Sequence, residues 1–117
     1  MSPSLSGEDK RSLHKVALLS AVLRNVNATI SIQQVHTLIL VALHEGSSVT
    51  EIARMSGFKL PTVSRNLLDL GMRNRKREPG YGLVETEVDP MELRKKSVTL
   101  TPKGREVIRQ IVNVMYG

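Results

Sequence analysis

The chain holds 117 residues, with 17 Lys and Arg against 11 Asp and Glu, a formal charge of +6 and an apolar share of 40%. Such a length supports one domain with a single modest core, and the apolar share favours folding over disorder. The absence of cysteine excludes disulfides, thiol switches and thiolate metal sites, and no apolar run approaches the ~20 residues that cross a bilayer.

Residues 1–7, built from Ser, Pro, Gly, Met and Leu, read as a flexible arm ahead of one domain over 8–117. They lack the basic and apolar parts of a signal peptide, so a cytoplasmic, nucleoid-associated location is expected. A first helix is predicted from Glu8 to Asn25. Leu13, Val16, Ala17, Ser20 and Leu23 form one stripe at helical spacing, and Leu18, Leu19, Val22 and Val26 add a second apolar face. Two apolar faces fit either a central core helix or a helix covered by a partner chain.

A second helix opens at Ser31, where Ser31 and Gln34 have the spacing of a capping box. Its buried stripe is predicted as Ile32, Val35, Leu38, Ile39, Ala42 and Leu43, and Gly46 is placed to end it in a left-handed turn. Ser47–Val49 can form a short strand. Thr50 is the expected N-cap of a short third helix, with Glu51 in its first turn and Ile52, Ala53 and Phe58 facing the core. Gly57 suits the tight turn that follows.

The fourth helix opens near Lys59 or Leu60, with Pro61 tolerated in its first turn. Val63, Leu67, Leu68 and Leu70 are assigned to its inner face. Thr62, Ser64, Arg65, Asn66 and Asp69 are assigned outward. The helix is expected to run on into the basic stretch Arg73, Arg75, Lys76 and Arg77, with Pro79-Gly80 ending it. Two strands follow, with Val84, Thr86 and Val88 alternating against Glu85 and Glu87, then Lys96, Val98 and Leu100 against Ser97 and Thr99. This is the period of a half-buried hairpin with its tip at Asp89–Lys95. Thr101-Pro102 caps and starts a last helix with Val107, Ile108, Ile111, Val112 and Met115 apolar. The fold class is therefore mainly α with a small β-hairpin, a winged helix-turn-helix.

The charge is uneven. Residues 1–49 carry four Lys and Arg against three acids, and residues 50–117 carry thirteen against eight. The excess lies in the half with the short helix pair and hairpin, the arrangement that holds duplex DNA. Aromatics are only 3% of the chain, which disfavours stacking on unpaired bases.

A helix in the major groove points its N-terminal residues at base edges, here Lys59, Leu60, Pro61, Thr62, Ser64, Arg65 and Asn66. Arg65 can pair with guanine through two hydrogen bonds, or meet a phosphate, or stay solvated. Asn66 can pair with adenine if it faces the groove. Thr62 and Ser64 can contact DNA or cap the helix locally. Leu60 and Pro61 can pack on a thymine methyl. Arg94 at the hairpin tip can enter the minor groove, with Lys95 and Lys96 near phosphates, or can pair with Asp89 or Glu92. Arg73, Arg75, Lys76 and Arg77 can bind phosphates or form a solvated face. His14, His36 and His44 have no companions at metal-ligand spacing, and no catalytic triad, HExxH or phosphate loop is present. No metal, no cofactor and no enzymatic activity are expected.

The residues Thr50-Glu51-Ile52-Ala53, Gly57, Thr62-Val63-Ser64-Arg65, Asp89-Pro90 with Glu92 and Arg94, and Leu100-Thr101 with Gly104 resemble the MarR family of winged-helix transcription regulators. The resemblance spans roughly 31–112 and is sharpest at 49–104. It implies a DNA-binding lobe at 47–101, dimerisation helices at 8–30 and 102–117, a homodimer on double-stranded DNA, and repression by promoter occlusion. It also raises a small-molecule effector, whose identity the residues leave unknown, and no membrane partner. In the family the acid before the tip arginine orients it, a role open to Glu92. The chain departs from the pattern at Glu92, which stands for Asp, at Leu93, which stands for a basic residue, and at Lys59, which stands for Ser or Asp. About eight extra residues around 72–81 precede the hairpin, and the C-terminal helical region is shorter than in typical relatives. A replication, partition or packaging accessory of a phage or plasmid, and a winged helix that binds protein, remain alternatives.

Overall fold

The computed structural model of the chain describes residues 4–72, 78–92 and 95–117. Helix α1 (Gly7–Val26) opens earlier than expected, because Ser6 and Asp9 close a reciprocal capping box and draw the end of the arm into the helix start. Glu8 and Asp9 in its first turn and Arg24 in its last complement the helix dipole. No residue of α1 is buried. Leu19, Val22, Leu23 and Val26 pack part-buried against the core, whereas Leu13, Val16 and Leu18 stay about half exposed.

Helix α2 (Ile32–Leu43) carries the expected Ser31–Gln34 capping box. Its inner face differs from the predicted stripe. Gln34, Thr37, Leu38 and Val41 are buried, while Ile32 is 87% and Leu43 68% exposed. The helix is rotated so that two polar side chains point inward, and both are bonded there. The Thr37 hydroxyl donates to the Gln33 carbonyl at 2.8 Å. Gln34 Nε2 donates to Asp69 at 3.3 Å, and Gln34 Oε1 accepts from the Tyr81 hydroxyl at 3.4 Å. Paired in this way, polar groups can be buried at little cost.

Gly46 takes the left-handed conformation expected of it, with φ 88°. Its N–H donates to Val98 O, and Val98 N–H donates to Ser47 O, both at 2.9 Å. The predicted strand at 47–49 is thus reduced to a bridge between Ser48 and Ser97, and Val49 already belongs to α3 (Val49–Ser56). Ser48 caps α3 in place of Thr50, because Ser48 and Glu51 form the capping box. Ile52 and Ala53 enter the core as predicted. Gly57 ends α3 with φ 75°, a value that L side chains rarely adopt. Phe58 follows, part-buried, with its ring edge-on to His36 at 5.4 Å.

Helix α4 (Leu60–Leu70) buries Val63, Asn66, Leu67 and Leu70. It does not run on into the basic stretch. Gly71 leaves the helical conformation, and the chain returns alongside the helix end. Gly80, Tyr81, Gly82 and Leu83 donate their N–H groups to the carbonyls of Met72, Asp69, Gly71 and Leu70, at 2.7–3.0 Å. Pro79-Gly80 therefore lies in the returning strand of chain rather than at a helix end.

Strands β1 (Val84–Val88) and β2 (Lys96–Leu100) pair antiparallel from Val84↔Leu100 to Val88↔Lys96. In β1 only Val84 is buried, and in β2 only Val98 and Leu100. The base of the hairpin is core, and the remainder of β1 is exposed, including Thr86 and Val88, which were expected inward. Helix α5 (Pro102–Tyr116) is capped by Thr101, whose Oγ1 accepts from Gly104 N–H at 3.0 Å and donates to Gly82 O at 2.6 Å. Val107 and Ile111 are buried, while Val112 and Met115 are 42% and 53% exposed. α5 lies beside α1, where Lys15 Nζ donates to Met115 O at 3.0 Å.

The core joins Leu38 and Val41 of α2, Ile52 of α3, Val63 and Leu70 of α4, Leu83, and Val84 and Val98 of the hairpin, each at most 1% exposed. Three helices and a hairpin built on one core make the winged helix-turn-helix read from the sequence. No helix among the described residues is long and apolar enough to cross a membrane.

Candidate nucleic-acid interface

The side of α4 away from the core presents Lys59, Leu60, Pro61 and Arg65 exposed, with Thr62 and Ser64 half-buried beside them. This is the N-terminal half of the helix, the part that a major groove admits. Among the described residues α4 is the one helix without a side-chain cap. Ser6, Ser31, Ser48 and Thr101 cap the others, whereas Lys59 at the N-cap makes no such bond. The alternative role of Thr62 or Ser64 as a local cap is thus not taken up. Pro61 has no N–H, so the first turn leaves the amides of Leu60 and Thr62 without a side-chain cap, and such amides suit anionic oxygens.

Asn66 does not share this surface. It is 7% exposed, and its amide nitrogen donates to Thr37 Oγ1 at 3.4 Å. The assignment of Asn66 to the groove is therefore corrected. One residue beyond Arg65 on a helix is a turn of about 100°, enough to carry the side chain from solvent to core. Leu68 makes the opposite change, expected inward but 47% exposed.

α4 and the hairpin share a groove of about 430 Å³. Leu60, Ser64, Leu67 and Leu68 line it from α4, Val49 and Thr50 from the start of α3, and Thr86 and Lys96 from the hairpin. Lys96 is thus brought to the same surface as the front of α4. Thr50, Thr86 and Leu68 were not among the expected interface residues. The spacing Leu60, Ser64, Leu68 marks a single line along a helix and carried the signal for Leu68. Thr86 shares the inward parity of Val84, and only the rise of the hairpin off the body exposes it.

At the hairpin tip Asp89 N–H donates to Lys95 O at 2.8 Å, and Lys95 N–H to Glu92 O at 2.9 Å. Lys95 and Lys96 are exposed, with Lys95 Nζ 3.9 Å from Glu92 Oε2. Arg94, and the basic residues Arg73, Arg75, Lys76 and Arg77, lie outside the described residues. Behind the interface, Glu51 is held below the usual carboxylate range, first by the backbone N–H of Ser48 and then by its hydroxyl. The α3 capping box is thus charged at neutral pH. Among the described residues no three His, Asp or Glu side chains gather as a metal site.

A helix front and a flanking hairpin on one groove define a winged helix-turn-helix protein. No protein-family model and no curated protein matches the chain. Solved structures do. A variant of S. aureus MepR, bound to an oligodeoxyribonucleotide, is 25% identical, with a TM-score of 0.70 over 89% of this chain and 70% of that one. MarR itself is 25% identical, with a TM-score of 0.64 over 90% of this chain and 69% of that one. Streptococcus pneumoniae FabT in complex with DNA shares the fold at 22% identity, with a TM-score of 0.61 over 87% and 68%. The chain thus shares the fold of MarR-type winged-helix regulators.

Proposed function

We propose that the chain is a sequence-specific transcriptional regulator that binds double-stranded DNA as a homodimer and represses by occluding a promoter. The observation that carries this reading is the groove shared by the N-terminal half of α4 and the hairpin, with Arg65 exposed on the one and Lys96 lining it from the other. Residues 47–101 act as the DNA-binding lobe. Lys59, Leu60, Pro61, Thr62, Ser64 and Arg65 face base edges, and Lys95 and Lys96 approach phosphates. Arg94 enters the minor groove, and Arg73, Arg75, Lys76 and Arg77 add phosphate contacts. The work done is binding rather than catalysis, in the cytoplasm and on the nucleoid.

The helices at 8–30 and 102–117 form the dimer contact. Leu13, Val16 and Leu18 of α1 and Val112 and Met115 of α5 are apolar and between 42% and 53% exposed, a surface that a second copy would cover. Two copies would set two α4 helices on half-sites about one helical turn apart.

Selection of bound duplexes from a random pool tests the reading. The expected product is a site with two-fold symmetry, and a pool with no enrichment overturns sequence-specific binding. Sedimentation at micromolar concentration should give a species of twice the 13.0 kDa chain mass, and a clean monomer removes the dimer.

A further inference from the structure

The hairpin tip holds an apolar residue that the interface described above does not use. Met91 is 91% exposed, the highest value for a large apolar side chain among the described residues. A single exposed methionine means little on a floppy loop. Here the described residues of the turn are tied by hydrogen bonds. Met91 N–H donates to Asp89 Oδ1 at 2.8 Å, Asp89 N–H donates to Lys95 O at 2.8 Å, and Pro90 between them has a locked φ. Both carboxylates of the turn are engaged locally, Asp89 with the Met91 amide and Glu92 with Lys95 at 3.9 Å. The tip thus presents a thioether beside an Asp89 carboxylate that bonds within the turn and a Glu92 carboxylate that faces Lys95.

We propose that Met91 is a DNA-contacting residue, which buries its side chain against the sugar walls of the minor groove when the wing docks on duplex DNA. The inference rests on the DNA-binding reading above. Methionine is among the apolar side chains that proteins lay into that groove, and its flexible, polarisable chain adapts to an uneven surface. Lys95 and Lys96 at the base of the turn would meet the phosphates on the groove rim, so the tip enters point first. The contact is apolar, so it adds affinity without releasing counterions. Its contribution should not depend on salt, in contrast to every Lys or Arg contact of the interface.

The test uses the full chain and a duplex recovered by selection. Met91→Ala and Met91→Gln should each weaken binding about tenfold, ~1.4 kcal/mol, with the log–log salt slope unchanged. Met91→Leu should bind as the wild type does. Hydroxyl radicals attack deoxyribose from the minor groove, so wild-type protection of the sugars under the wing should disappear with Met91→Ala alone. Unchanged affinity and footprint for Met91→Ala overturn the proposal, as does a weakening that comes with a shallower salt slope. Failure of the wild type to bind any duplex overturns the DNA-binding reading itself, a different result from failure confined to the variants.

Discussion

Gly104 sits where the first turn of α5 crosses the chain that leads into the hairpin, and replacing it with alanine tests how tightly that crossing is fixed. An added Cβ would lie 3.0 Å from the Leu83 carbonyl carbon and 3.3 Å from Leu100 Cδ2, and closer still to the Leu83 carbonyl oxygen. Leu83 cannot yield easily. It is fully buried, its N–H donates to Leu70 O at 2.7 Å, and its carbonyl accepts from Thr101 N–H at 3.0 Å. Overpacking of a fitted core costs ~1–3 kcal/mol. A shift of α5 to relieve it would disturb the Thr101 cap, worth ~1 kcal/mol. Alanine recovers up to ~1 kcal/mol through its helix propensity. The net loss is ~1–3 kcal/mol, which at this chain length lowers Tm by roughly 3–12 °C. Thermal unfolding followed by circular dichroism reads it, with Gly7→Ala as control, since a Cβ there meets nothing within 4 Å. A Gly104→Ala protein that melts at or above the wild-type temperature would refute the close approach of α5 to Leu83.

Arg65→Ala should cost ~1–3 kcal/mol of discrimination between the selected site and random duplex, with a smaller loss on random duplex. Equal loss on both in competition binding would assign Arg65 to phosphate. Replacing Arg73, Arg75, Lys76 and Arg77 with Gln should flatten the salt dependence by about 0.9 for each phosphate that is no longer neutralised. An unchanged slope would make that run a solvated face. Glu51→Ala should destabilise the fold at neutral pH. The folded carboxyl titrates below its ordinary range, so its stabilisation is present above that range and is lost as pH falls from there through the lowered folded value. Urea midpoints of wild type and variant should therefore converge in acid, and a gap that persists at low pH would show that the charge is not what matters.

Much of this fold is legible wherever local chemistry decides it. Ser31 with Gln34, Gly57 and Thr101 with Pro102 each fixed a boundary, and Gly46 took its left-handed turn two residues beyond the His44 cap of α2, because caps and left-handed turns depend on residues a few positions apart. Ser48 with Glu51 has the same spacing as Ser31 with Gln34, so the true start of α3 was also readable, and Thr50 was the wrong choice between two hydroxyls. Gln34, Thr37 and Asn66 were not readable in this way. Their burial depends on partners 29 to 47 positions away, through the Asn66–Thr37, Gln34–Asp69 and Tyr81–Gln34 bonds. An apolar pattern treats each of them as a surface residue. The same limit applies to the interface. The exposed front of α4 from Lys59 to Arg65 follows from helical spacing, whereas the groove that joins it to Thr86 and Lys96 depends on how far the hairpin stands from the body.

The hydrogen bond from Gly80 N–H to the Met72 carbonyl brings the two ends of the intervening sequence together at one point. Changes in its length would not shift the register of the hairpin, and doubling the length between two joined ends costs only ~0.6 kcal/mol in closure entropy. Charge or sequence could thus be added or removed there, tuning the grip on a polyanion while leaving the reading helix in place. It is also the natural position to graft a fluorophore or an affinity tag.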